Sequence, residues 1–242
     1  ETYGFVFTEI LNRSLGPGNS LYRVINRSMP GLSTFSGFAT VRGINEIKQG
    51  DRVLVSLGSN DQAPASISDY KKYINLQSTP EKIRTLLERF MFFKMLRSFW
   101  VSSNISFQDK AKSSVNRVSV EEYKNNLKNI FDIIRKRGGK PSFVNICNSN
   151  EYTLVARELT NVNSIPYVDF IKQVKPFFAD IPRRFPKKFI QYFDAYGQKM
   201  DENELFVVLF PDGCHPNAIG HHLLGEILFK VLEQETRETS KP

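Results

Sequence analysis

Short apolar runs alternate along this chain with stretches whose apolar positions recur every three or four residues. The runs at Leu21–Asn26, Arg52–Leu57, Ser142–Cys147 and Pro166–Asp169 read as strands, and Gly, Pro or Asn residues punctuate their ends. Helical spacing begins with Tyr3, Phe7, Ile10 and Leu11 and continues over Thr34–Ile47, Pro80–Val101, Val120–Arg137, Glu151–Leu159 and Pro216–Gln234. The clearest case is Val120–Arg137, where Tyr123, Leu127, Ile130, Phe131 and Ile134 share one face and Gly138-Gly139 ends the helix. Arg52–Leu57 is apolar almost throughout, as expected of a parallel strand buried on both faces.

Strands alternating with helices imply a mostly parallel sheet covered on both sides, a three-layer α/β/α sandwich. With 242 residues, 40% of them hydrophobic, the chain can bury one sizeable core, and a single domain over residues 1–242 is expected. In such sheets ligands bind beyond the carboxyl ends of the strands. Gly31, Gly58–Asp61, Cys147 and the loop from Asp212 to His215 can all lie on that edge. The net charge of +8 comes from scattered Lys and Arg residues. No nucleic-acid-binding motif accompanies it, so nucleic acid is not the expected partner. No apolar stretch is long enough to span a bilayer. The first residues lack the pattern of a signal peptide and do not start with Met, which points to a chain that begins upstream of Glu1.

Asp212 and His215 stand three apart ahead of the last helix, with Pro216 suited to its first turn. That spacing lets a carboxylate fix the tautomer of an imidazole base, although Asp212 also suits a plain turn. Asn60, just beyond a buried strand, can offer its amide to a developing oxyanion or merely close an Asx turn. Gly31 can bring its backbone N–H close to a substrate or simply complete a Pro-Gly turn. His221 and His222 are adjacent, so on a helix they point about 100° apart and do not converge on one metal ion. Both read as rim or surface residues, and no metal or cofactor is expected. Cys147 and Cys214 read as free thiols, with a disulfide beside the His215 loop as the alternative in an exported protein. The helix around Leu86–Trp100 is apolar nearly all round with interspersed basic residues. It suits packing within the domain, a partner contact or a membrane surface.

Taken in order, these pieces resemble the SGNH hydrolases, also called the GDSL esterase/lipase family. Met29-Pro30-Gly31-Leu32-Ser33 resembles the second block of that family, Gly58-Ser59-Asn60-Asp61 the Gly-x-Asn-Asp third block, and Asp212-Gly213-Cys214-His215-Pro216 the fifth. Arg117–Tyr123 is similar to the approach to the family's mid-chain helix. The resemblance covers most of the chain apart from about residues 62–116, which read as an insertion. It implies a flavodoxin-like sheet and a serine esterase acting on a lipid, an acetylated carbohydrate or a small-molecule ester. In that scheme His215 is the general base, Asp212 its orienting carboxylate, and Gly31 and Asn60 the oxyanion donors. The first block, with Gly-Asp-Ser and its central strand, has no counterpart here, so the nucleophilic serine is expected upstream of residue 1. The rival function is a glycan- or lipid-binding module on the same fold. Many members of the family are exported, which gives a slight preference for an exported or membrane-associated protein.

Overall fold

The computed structural model of the chain describes residues 24–29, 31–77, 115–147, 150–185, 202–211 and 213–239. The described elements begin with α1 (Thr34–Gly43), β1 (Arg52–Val55), β2 (Pro64–Ala65), α2 (Asp69–Gln77), β3 (Val115–Asn116), α3 (Val120–Lys136) and β4 (Lys140–Asn145). They continue with α4 (Glu151–Val162), β5 (Tyr167–Asp169), α5 (Phe170–Val174), a 3-10 helix (Lys175–Asp180), α6 (Ile181–Arg184), α7 (Glu202–Leu209) and α8 (Ala218–Thr239). The chain divides into two compact units. The first is drawn from Glu1–Pro30, Gly50–Ser56 and Gly139–Pro242, the second from Gly31–Gln49 and Leu57–Gly138.

The first unit is built on a parallel sheet in the order β1-β4-β5. β4 lies between two neighbours and is buried from Pro141 to Asn145, as an inner parallel strand must be. The register sets Phe143 opposite Tyr167 and Val144 opposite Val168. Successive side chains leave a strand on opposite faces, so these two pairs serve different layers. The rings of Phe143 and Tyr167 stack at 5.8 Å. On the other side Val144 and Val168 enter a core with Phe170, Phe210, Leu223 and Leu224, supplied by the chain after β5. Each such side chain withdrawn from water contributes about 1.5–3 kcal/mol before the entropy of ordering is counted.

Several boundaries differ from the pattern in the sequence, each for a local reason. Val24–Met29 has no regular structure, with Ile25 half exposed, so the described part of the expected strand Leu21–Asn26 is not a strand. A strand needs a ladder partner for its backbone groups, and Val24–Asn26 joins neither sheet. Residues 170–184 form short helices that the two prolines disguise. Pro176 and Pro182 sit in first turns, where no N–H is required, while Phe170, Val174, Phe178 and Ile181 keep a buried helical spacing through all three. α7 likewise lies where no helix is expected. The first expected helix, around Tyr3–Leu11, and the expected helix Pro80–Val101 lie outside the described residues.

The second unit is organised by α3. Tyr123, Leu127, Ile130, Phe131 and Ile134 are its buried residues, the face that the spacing predicts. Ser119 and Glu122 form a reciprocal capping box at its N-terminus, satisfying two otherwise orphaned N–H groups. α1, which packs against α3, ends at Gly43 rather than Ile47. The Arg137 guanidinium takes the carbonyls of Val41 (2.7 Å), Arg42 (2.8 Å) and Ile44, so a cation holds the helix's carboxyl end and stops it there. At the ends of the expected insertion, β2 and β3 pair antiparallel.

Candidate active site

His215 lies between α7 and α8 in the first unit. It is exposed, on a bend anchored from both sides. Asn217 does most of the anchoring. Its Oδ1 accepts from the N–H groups of Ile219 and Gly220, both at 3.0 Å, and so caps α8. Its Nδ2 donates to Val208 O at 2.7 Å and its N–H to Leu209 O at 2.8 Å, tying the same residue to the end of α7. The expected helix start at Pro216 is therefore corrected: Pro216 is buried ahead of the cap, and α8 begins at Ala218.

On the near side of His215, Gly213 N–H closes a turn onto Phe210 O at 2.8 Å. Cys214 forms a disulfide with Cys147, just past β4, with a Cα–Cα distance of 4.4 Å. The reading of two free thiols is thus wrong. Sequence separation of 67 residues hides a pair that the fold brings together, one cysteine following a strand and the other preceding a helix. Asp212, the expected partner of His215, lies outside the described residues.

Gly31 and Asn60 belong to the second unit and share one hydrogen-bonded cluster. Gly31 has φ +76°, a left-handed conformation that glycine adopts without strain. Asn60 Nδ2 donates to Leu32 O at 3.1 Å, so the loop of Gly31 and the turn of Asn60 are directly joined. Ahead of Asn60, Gly58 has φ +126°, and a Cβ there would sit 3.1 Å from the Tyr123 hydroxyl. The conformation requires glycine at this point of the turn, and a side chain would also press on the Tyr123 ring.

Five further residues complete the cluster. Asp61 is fully buried and accepts from Thr34 N at 2.9 Å and from Thr34 Oγ1. A carboxylate thus caps α1 from a distant turn, while Ser33, the local cap residue, donates instead to Asp69 Oδ2 at 2.6 Å. Arg117 donates through Nε and Nη2 to the two oxygens of Asp69, at 3.2 and 2.9 Å, and through Nη1 to Gly31 O at 2.9 Å. Burial pushes the Asp61 carboxyl above its usual range, against the hydrogen bonds from Thr34 and the charge of Arg117. Burial works the same way on Asp69, but hydrogen bonds from Arg117 and Ser33 outweigh it and hold that carboxyl low.

Asp61 was named only as the last residue of the Gly58–Asp61 block, and Asp69 and Asn217 were not singled out. Of these two, only Asn217 left a local signal, a capping residue immediately before an apolar helical period. The other histidines sit on α8. His222 pairs with Glu226 at 3.2 Å and meets the Phe185 ring edge-on. His221 is half-buried, and burial, with His215 nearby, lowers its affinity for a proton. Among the described residues no cluster of His, Cys, Asp and Glu is arranged to hold a metal, and no helix is long and apolar enough to cross a membrane. An open depression of about 590 Å³ beside α4 is lined by residues such as Arg157, Asn161 and Tyr167 and includes none of the expected site residues.

A family model described as GDSL-like Lipase/Acylhydrolase matches residues 1–228. No curated protein matches the sequence. Among solved structures, the X-ray structure of the protein YxiM from Bacillus subtilis aligns at 12% identity with a TM-score of 0.48, covering 95% of this chain and 50% of that one. The chain therefore spans about half the length of that structure.

Proposed function

The chain belongs to the GDSL-like lipase/acylhydrolase family, and on that premise we propose that it works as a serine ester hydrolase. The nucleophile in this scheme is a serine upstream of Glu1, where the family's first block stands. His215 accepts the serine proton as the oxygen attacks the acyl carbon, then returns it to the departing alcohol. Asp212 orients the imidazole and stabilises the imidazolium. Gly31 N–H and Asn60 Nδ2 donate to the tetrahedral oxyanion. The substrate is a carboxylic ester of a lipid, an acetylated carbohydrate or a small molecule, and no cofactor takes part. The Cys147–Cys214 bridge supports a location where disulfides persist, outside a reducing cytosol.

The observation that carries this proposal is the contact between Asn60 and Leu32. An amide nitrogen has two N–H groups. Commitment of one to Leu32 O, at 3.1 Å, fixes the direction of the other. It also places the side-chain donor beside the glycine loop that would supply the backbone donor. A donor held in advance needs no reorganisation when charge develops, which is what oxyanion stabilisation requires.

The test uses protein that includes the proposed serine-bearing segment, a fluorophosphonate that labels activated serines, and p-nitrophenyl butyrate. Labelling and hydrolysis are expected, and His215→Ala should reduce turnover by at least ~10³-fold. Asn60→Ala should lower kcat by ~10²–10³. Equal rates for the parent and His215→Ala would remove the base from the mechanism. A parent that neither labels nor hydrolyses would favour a glycan- or lipid-binding module.

A further inference from the structure

We propose that Arg117 and Asp69 are positioning residues for the oxyanion loop, acting through the carbonyl of Gly31. The inference rests on the proposed role of Gly31 and Asn60, but its geometry is independent of that role. A guanidinium presents its donors in a fixed planar fork. Here Asp69 takes Nε and Nη2 together, at 3.2 and 2.9 Å, which fixes the plane of the group. The remaining arm, Nη1, then points in a set direction and meets Gly31 O at 2.9 Å. Gly31 has φ +76° and no side chain of its own to anchor it, so this contact restrains its torsions from outside.

Asp69 is itself held. Ser33, two residues beyond Gly31, donates to Asp69 Oδ2 at 2.6 Å, and Asp69 N–H donates to Arg117 O at 2.7 Å. Two anchors therefore bracket Leu32: Arg117 on Gly31 O and Asp69 on Ser33 Oγ. The carbonyl of Leu32 between them accepts from Asn60. Both proposed donors thus depend on one short loop, and that loop is fixed by the Arg117–Asp69 pair.

The pair also closes the neck of a long segment. Asp69 opens α2 and Arg117 follows β3, so the chain between them starts and ends at the guanidinium that restrains Gly31. A lysine at 117 would carry the charge but not the fork. This bidentate pair is mostly buried, with side chains 26% and 14% exposed, so breaking it also lowers global stability to some extent. An effect on turnover larger than any effect on folding is therefore the signature of positioning.

The experiment measures kcat and KM for p-nitrophenyl butyrate, thermal midpoints, and amide exchange of residues 31–34 in full-length parent, Arg117→Lys, Arg117→Ala and Asp69→Asn. Displacement of a reacting group by about 1 Å can cost ~10²-fold. Arg117→Ala is expected to lower kcat by ~10–10², and Arg117→Lys and Asp69→Asn by ~10, with KM within about 3-fold of the parent. Exchange of residues 31–34 should rise in each variant. A double-mutant cycle of Arg117→Ala with Asp69→Asn should be strongly sub-additive in kcat, because both break the one pair that restrains Gly31.

The inference is overturned by a folded variant with unchanged kcat, by additivity in the cycle, or by unchanged exchange at residues 31–34. If Arg117→Ala does not fold, Arg117→Lys and Asp69→Asn decide the matter. His215→Ala separates the two levels. Full activity in that variant defeats the catalytic scheme, and the exchange data alone then judge whether Arg117 restrains the loop.

Discussion

Around His215 the chain is fixed by a covalent bridge and by one asparagine that grips two helix ends. Around Gly31 and Asn60 it is fixed by two carboxylates and a guanidinium. The first arrangement is indifferent to charge and vulnerable to reductant. The second is the reverse: no sulfur takes part, and its geometry depends on ionisation states. The difference shows two solutions to one problem, holding an irregular loop without burying unsatisfied backbone groups.

The largest way to break this contrast is to remove the bridge. Closing a loop of 67 residues restrains the unfolded chain, and losing that restraint is expected to cost about 4 kcal/mol on the chain-entropy estimate. Replacing Cys147 and Cys214 together by Ser should lower the denaturation midpoint and speed amide exchange over residues 206–220, leaving residues 31–40 as they were. A uniform rise in both segments would mean that the bridge is not local in its effect. Next in size is Asp61→Ala, which strands the buried N–H and hydroxyl of Thr34 and should cost about 3 kcal/mol. Asp61→Asn removes a charge that burial already disfavours, so at neutral pH it should cost no more than about 1 kcal/mol. Chemical denaturation of the two variants measures that gap.

Asn217→Ala tests the other side on a smaller scale. Loss of the α8 cap should cost about 1 kcal/mol, visible in urea denaturation, with the Gly31 loop again unchanged. The smallest effect comes from acid. The Asp69 carboxyl is held below its ordinary value of 3.8, so its stabilising contribution is complete above that value and disappears as pH falls through the folded one. Asp61 has the opposite sign. Its folded value is raised, so its contribution is complete below 3.8 and lost as pH rises through the folded value. Acidification should therefore protonate Asp61 first and release the Asp69–Arg117 pair last. That release is worth about 1 kcal/mol for a partly buried pair. NMR titration of the two carboxyl carbons would show the order, and a reversed order would undo the assignment of opposite signs.

The strands β1, β4 and β5 were legible as short apolar runs between turn residues, and the buried face of α3 by its helical period. Tyr123, Leu127, Ile130, Phe131 and Ile134 needed no tertiary information to be placed on one face. The short helices from Phe170 to Arg184 were not legible, because Pro176 and Pro182 look like breaks until their positions in first turns are known. The site divides in the same way. Gly31 and Asn60 could be named from short motifs, and the structure joins their loops through Leu32. Asp61 could not be given its task, since a carboxylate that caps a helix beginning 27 residues earlier leaves no mark at helical or strand spacing. The bond between Cys147 and Cys214 is invisible for a similar reason: nothing in either local sequence specifies the other end.

The neck at Asp69 and Arg117 bears on how such a protein can change. Its ends are pinned by the β2–β3 ladder and by Asp69 N–H on Arg117 O at 2.7 Å, so the chain between them is a closed loop whatever its length. Closure entropy grows only with the logarithm of loop length, by about 0.6 kcal/mol for each doubling. Segments of very different size could be exchanged at this point for nearly the same thermodynamic cost. The junction is therefore a natural graft point, where new sequence can be tried while α3, which follows it, keeps its packing.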